Sequence, residues 1–213
     1  MHTHVNRFST GSCLLFCLLV FIGHPLAQAQ GATELTPFAG WMFGGSASVA
    51  PGTVSYDDAM FYGLILGQKV EQNINVEFSY SFRSTKGHFE PSAGSSAPSN
   101  TLDVTIHSLQ FGAAYHALTD NVQPFLGTGC GVVWFHPGDS RYSGDWRIAL
   151  SASVGVKIFP VQNLGIRLQA RILLPIYFSS GGFWSEVEGM EAGFHGGFPL
   201  LQTDLGVGLI AAF

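Results

Sequence analysis

From Ile74 to Arg83 the chain alternates without a break. Ile74, Val76, Phe78, Tyr80 and Phe82 fall on one side, and Asn75, Glu77, Ser79, Ser81 and Arg83 on the other. A two-residue period is the signature of a β-strand with chemically different faces. The same split recurs over Leu164 to Leu174 and over Ile148 to Ile158. Weaker alternation predicts strands at Leu35 to Gly45, Phe61 to Lys69, a fourth ending near Tyr115, Val122 to Phe135, and Gln202 to Phe213, eight in all. Three short turns, Val70-Glu71-Gln72-Asn73, Leu118-Thr119-Asp120-Asn121 and Pro160-Val161-Gln162-Asn163, punctuate these strands at intervals that fit two long strands, a tight turn and a longer loop. That rhythm is the rhythm of an up-and-down barrel.

The two parities differ in charge. The apolar parity of all eight strands holds no Asp, Glu, Lys or Arg, whereas the other collects Glu34, Lys69, Glu77, Arg83, Arg147, Lys157, Arg167, Arg171 and Asp204, with many glycines. A soluble barrel would place this apolar set in a narrow lumen and the cations outside. A transmembrane barrel places the apolar set against lipid, where one Arg or Lys at midplane costs about 2–4 kcal/mol. The second arrangement is the expected one, with glycines making room for the arginines inside. Trp41, Phe43, Tyr62, Tyr80, Phe82, Tyr115, Trp134 and Phe213 are expected toward strand ends, at the bilayer interfaces. Val104 and Ile106 fall on the inward parity, so a bulge or an excursion above the membrane is expected there.

Composition sharpens this. Of 213 residues 46% are hydrophobic and only 11% charged, against about 25% charged in ordinary soluble domains. At the N-terminus Arg7 precedes an apolar run from Cys13 to Ile22, and Ala27-Gln28-Ala29 offers small residues for a peptidase. Residues 1–29 therefore read as a cleavable signal peptide, its apolar core too short to span a bilayer, and residues 31–213 as the barrel domain. Removing Arg7 takes the formal charge from −5 to −6 and leaves Cys130 as the sole thiol, which excludes an internal disulfide. So acidic a chain, without a basic patch, excludes nucleic acid as a partner.

The candidate site is the charged lumen. Counting from the turns puts Lys69, Glu77, Lys157 and Arg167 at one low level and Arg83, Arg171 and Asp204 higher, which predicts two salt-bridged layers, since unpaired buried charge is strongly disfavoured. An eight-stranded lumen is just filled by side chains, so a plug is expected. Other chemistry is thin. No G-x-S-x-G occurs; His88, His107, His116, His136 and His195 are scattered; Cys130 lies on the lipid-facing parity as a small filler. No catalytic residue, metal ligand or cofactor is assigned.

Pro37-Phe38-Ala39-Gly40-Trp41-Met42-Phe43-Gly44-Gly45, Tyr62-Gly63-Leu64-Ile65-Leu66-Gly67, Pro124-Phe125-Leu126-Gly127, Arg167-Leu168-Gln169-Ala170-Arg171 and the strand ending at Phe213 resemble the small outer-membrane β-barrel proteins of the OmpA/OmpX-like kind. The resemblance covers residues 31–213. It implies localisation in the cell outer membrane, contact with outer-membrane lipid and lipopolysaccharide, and a terminal Phe213 read by the outer-membrane assembly machinery. It also implies turns facing the periplasm and outside loops at about 46–60, 85–101, 136–145 and 179–199. Those loops carry nine acids and two bases when Asp103 is counted with them. The expected role is structural or surface-interactive, with a possible extracellular ligand held by the loops. A narrow channel for small solutes is the alternative, and a lipid-modifying enzyme the third reading.

Overall fold

In the computed structural model the described residues are 33–49, 52–92, 99–117, 121–139, 144–176 and 201–213, and they form ten strands. These are β1 (Thr33–Phe43), β2 (Ser46–Val49), β3 (Gly52–Tyr56), β4 (Ala59–Glu71), β5 (Ile74–Pro91), β6 (Asn100–His116), β7 (Val122–Pro137), β8 (Asp145–Val161), β9 (Leu164–Ile176) and β10 (Gln202–Ala212). Eight of them, β1 and β4 to β10, close an antiparallel barrel: β4 lies on β1, each later strand pairs with the one before it, and β10 returns to β1. Closure leaves the barrel without a free edge, which a hydrocarbon environment demands. The small β2–β3 hairpin adds to the far end of β5, where Gly52 to Tyr56 run beside Pro91 to Gly87.

The Asn of two tight turns has a definite task. Asn73 donates from Nδ2 to the His116 carbonyl at 2.9 Å, and its own carbonyl accepts the His116 N–H at 2.8 Å. Asn163 makes the same pair with Ala212, both bonds 2.9 Å. Each turn is thereby tied to the neighbouring strand by a side chain that imitates a peptide group.

Side chains alternate across the wall as the sequence requires. Tyr62, Leu64, Leu66, Phe78, Leu126, Val154, Leu168 and Val207 stand exposed on the outer surface. Glu34, Lys157, Arg167, Arg171 and Asp204 are buried inside. Eight residues separate Ile74 from Phe82 on β5. At about 3.3 Å per residue and a tilt near 40° they raise the apolar band about 20 Å, which approaches the roughly 25 Å apolar band of membrane-spanning barrels.

A belt of rings caps the band. Tyr62 packs on Phe82 with centroids 6.0 Å apart, His107 stacks on Trp134 at 5.3 Å, and Trp134 on Trp146 at 5.2 Å, while the Tyr80 hydroxyl and His107 Nδ1 lie 2.9 Å apart. The belt thus runs over β4 to β8. Rings with an apolar body and a polar tip belong at a membrane interface.

Above the belt the polarity of the wall inverts. On β5 and β6 the outward positions become Ser84, Lys86, Glu90, Thr101 and Asp103. The inward ones become Phe89, Leu102, Val104 and Ile106, all buried. Strand phase does not change: the β5–β6 register runs unbroken from Ile74–Tyr115 to Phe89–Asn100. Only the solvent outside changes, from hydrocarbon to water. Of the two arrangements expected at Val104 and Ile106 the bulge is therefore absent, while the strands do run on past the belt, and these residues fill an apolar upper storey with Val54, Tyr56 and Phe135, the last two rings 6.1 Å apart.

Three expected loops are correspondingly shortened. Much of 46–60 forms β2, β3 and the start of β4; most of 85–101 forms the ends of β5 and β6; β7 reaches Pro137 and β8 begins at Asp145. Tyr80 and Phe82 lie in the middle of an 18-residue strand rather than near its end. The segment 179–199 and the signal-peptide reading of 1–29 fall outside the described residues.

The lower lumen is also less polar than alternation alone suggests. Phe38, Met42, Phe61 and Ile65 form a buried cluster on the β1–β4 side. Several glycines make room for rings: a Cβ on Gly155 would stand 2.6 Å from the Phe125 ring, and one on Gly63 would stand 2.5 Å from that of Phe38.

The inversion gives a direct test by equilibrium urea unfolding in lipid vesicles, followed by tryptophan fluorescence. Leu168→Arg, inside the band, is expected to destabilise by about 2–4 kcal/mol. Ser84→Arg, above the belt, is expected to shift stability by less than about 0.5 kcal/mol. Equal costs at the two sites would show that the belt does not mark the edge of the apolar layer.

Candidate functional site

Four strands send charge to the lower level of the lumen. Glu34 comes from β1, Glu77 from β5, Lys157 from β8 and Arg167 from β9, and the four connect in alternating sign. Lys157 Nζ lies 2.6 Å from Glu34 Oε2 and 3.4 Å from Glu77 Oε1. Arg167 meets Glu77 through two parallel bonds of 2.6 and 2.8 Å, and its Nε donates to Gln169 Oε1 at 2.8 Å. The guanidinium carbon stands 4.3 Å from the centre of the Phe125 ring. Gly155 thus clears space for Phe125, and Phe125 supports Arg167. With Lys157 fully buried and Arg167 3% exposed, such ions persist only because geometry and hydrogen bonds offset their desolvation. Two acids against two bases leave this layer neutral.

Higher up, Arg171 and Asp204 are cross-strand neighbours, and Arg171 Nε donates to Asp204 Oδ2 at 2.7 Å. Arg83 shares that level but forms no ion pair among the described residues. Its Nε and Nη1 are buried without a hydrogen-bond partner among the described residues, as are Arg171 Nη2, Asp204 Oδ1 and both amide atoms of Gln202. Between the two levels lies a cavity of about 40 Å³ lined by Ser79, Gln110, Gly112, Gly129, Ser151 and Arg171 among others. A cavity of this size and polarity has room for a few water molecules.

Lys69 does not join the lower layer. It sits half-buried at the turn end opposite Asn75, and the acid nearest Lys157 is Glu34. Nothing local to Glu34 betrays this, since the pairing depends on how β1 and β8 face each other across a closed ring. Arg147 pairs with Asp145 of its own strand. Cys130 is exposed on the outer wall, and Phe213 is exposed at the end of the chain described here, its backbone bonded both ways to Thr33.

The histidines separate into three settings. His107 belongs to the outer belt and His116 is buried at the turn end. His88 lies on the outer face above the belt, 3.1 Å from Thr101 Oγ1 through Nδ1 and 3.1 Å from Asp57 Oδ1 through Nε2. Sequence scanning missed this group because Asp57 arrives from the β3–β4 turn, 31 positions away. The turn is held at several further points: Thr85 Oγ1 donates to the Asp57 carbonyl at 2.7 Å, and Gly44 N–H to Asp58 Oδ1 at 2.6 Å. His88 therefore reads as part of a brace between that turn and the upper sheet.

Removing one member of the lower layer should be costly and removing Lys69 should not. Glu77→Gln leaves Arg167 without its two-point partner, with an expected loss of about 3 kcal/mol. Lys69→Gln should stay within about 0.5 kcal/mol. Urea midpoints of the refolded variants check both values, and a Glu77→Gln barrel as stable as the parent would show that the layer contributes little.

No protein-family model matches the sequence, and no curated protein matches it. Solved structures do match. Neisserial surface protein A superposes with a TM-score of 0.56 at 15% identity, covering 85% of this chain and 97% of that one. The N-terminal β-barrel domain of Pseudomonas aeruginosa OprF gives 0.48 at 14% identity, covering 86% and 100%. At these identities the likeness is one of fold. The chain has the closed eight-stranded barrel fold of Neisserial surface protein A.

Proposed function

We propose that this chain is an outer-membrane barrel with a sealed lumen, serving as a structural or surface-contact protein rather than as an enzyme. The observation that carries this reading is the inversion of the wall at the aromatic belt. It makes one length of the cylinder fit for hydrocarbon and the length above it fit for water. The likeness in fold to a protein named for the neisserial surface supports the placement. Two obstacles lie in series along the lumen: the neutral Glu34–Lys157–Glu77–Arg167 layer, and above the belt the apolar storey around Phe89, Val104, Ile106 and Phe135. The upper sheet and its loops then face outward as the surface for an extracellular ligand, with lipopolysaccharide around the belt. Residues 1–29 act in this proposal as the export signal, and Phe213 as the residue read by the assembly machinery.

A narrow anion channel is the second reading, favoured by the polar cavity of about 40 Å³ between the charge levels. Planar-bilayer recording separates the two. The refolded barrel, identified by faster migration of the unboiled sample on a gel, is expected to show no unitary conductance. Reproducible anion-selective openings would sink the sealed-lumen reading.

A further inference from the structure

At the turn end, beneath the lower charge layer, the barrel opens into a vestibule of about 510 Å³ whose lining includes Lys69, Gln72, Asn75, His116, Gln123 and Gln162. We propose that this vestibule binds small carboxylates that also carry amide groups, the chemistry of the free end of a short peptide. Its volume is that of an ordinary small-molecule site. The interlocked layer of Glu34, Lys157, Glu77 and Arg167 lies at its inner end.

The lining supplies an unused hydrogen-bonding atom in a fixed place. His116 is 3% exposed, and its Nε2 is buried without a hydrogen-bond partner among the described residues. Its backbone is anchored to Asn73 through both polar groups, and the ring is confined by burial and by the Phe125 ring packed 5.7 Å from it. A buried imidazole nitrogen left unpaired is costly unless something pairs with it.

Charge selects an anion. Glu34 also lines the vestibule, but its Oε2 is engaged by Lys157, and Glu77 above is engaged by Arg167 and Lys157. Lys69 forms no ion pair among the described residues, so it is the uncompensated charge of the lining. Glu71 of the same turn is not part of that lining, and Asp120 lies outside the described residues. A single ammonium with no arginine beside it suits a carboxylate better than a phosphate, which is usually gripped by several donors.

Amides then select the remainder of the ligand. In two of the turns the Asn is committed to the neighbouring strand, which leaves Gln72 and Gln162 exposed and free of side-chain hydrogen bonds among the described residues. With Asn75 and Gln123 they offer paired donors and acceptors that match the N–H and C=O of a peptide group.

The test is a titration of the mature barrel in detergent micelles with acetyl-dialanine, as the L,L and the D,D isomer, followed by NMR of the His116 ring and the Gln72 and Gln162 side-chain amides. Saturable shifts with at least one isomer are expected. Lys69→Gln should weaken that binding about tenfold, and C-terminal amidation of the dipeptide should weaken it in the parent but not further in Lys69→Gln. His116→Phe should weaken both forms. A preference for D,D would mark wall-derived peptide as the source, and one for L,L would mark ordinary peptide. Absence of saturable shifts, or equal affinity in the parent and Lys69→Gln, would overturn the proposal. Only the source of the ligand rests on the outer-membrane reading, because binding in micelles is measured whether or not the barrel proves to conduct.

Discussion

Hydrocarbon tolerates neither an ionic group nor an unpaired backbone polar group, and most of this structure follows from that intolerance. It requires the ring of eight strands to close and the outer wall from Ile74 to Phe82 to be apolar on every second residue. Charge is thereby driven inward, into a lumen too narrow to hydrate it fully. Inside, the ions must satisfy one another. The chain of alternating sign from Glu34 through Lys157 and Glu77 to Arg167 is the outcome, with an aromatic ring and an amide completing the shell of Arg167.

One continuous strand serves two solvents. β5 crosses the belt at Phe82 and continues to Pro91 without a change of register, yet the face that carries Tyr80 and Phe82 below carries Lys86 and Glu90 above. Below the belt the barrel is apolar outside and charged within, as lipid requires. Above it, Phe89, Val104 and Ile106 form an ordinary apolar interior under a polar surface. The rings of Tyr80, His107, Trp134 and Trp146 occupy the boundary because each combines an apolar body with a polar atom.

The two ends of the barrel differ accordingly. At the upper end side chains and backbone bonds converge on Asp57 and Asp58 and fix the β3–β4 turn to the sheet. At the lower end Asn73 and Asn163 do the structural work, and their neighbouring glutamines are left free around a hollow. Among the described residues, polar side chains committed to the fold are thus distinguishable from polar side chains that have no side-chain partner.

The alternation read from single stretches, such as Ile74 to Arg83 or Leu164 to Leu174, determined the strands, their number in the barrel and the direction each charge faces. These are local properties with a period of two, so no distant residue is needed to find them. What the alternation could not place was the height at which the apolar band ends, and so at Val104 and Ile106 it left a bulge and an excursion above the membrane both open. That height depends on where the rings of five adjacent strands align, which only their mutual register fixes. Partner choice was likewise decided by the closed ring: Lys157 and Glu34 stand 123 positions apart, and Arg167 and Glu77 stand 90 apart. Sequence assigns such residues to the lumen, and the curvature and stagger of the whole barrel decide which of them touch.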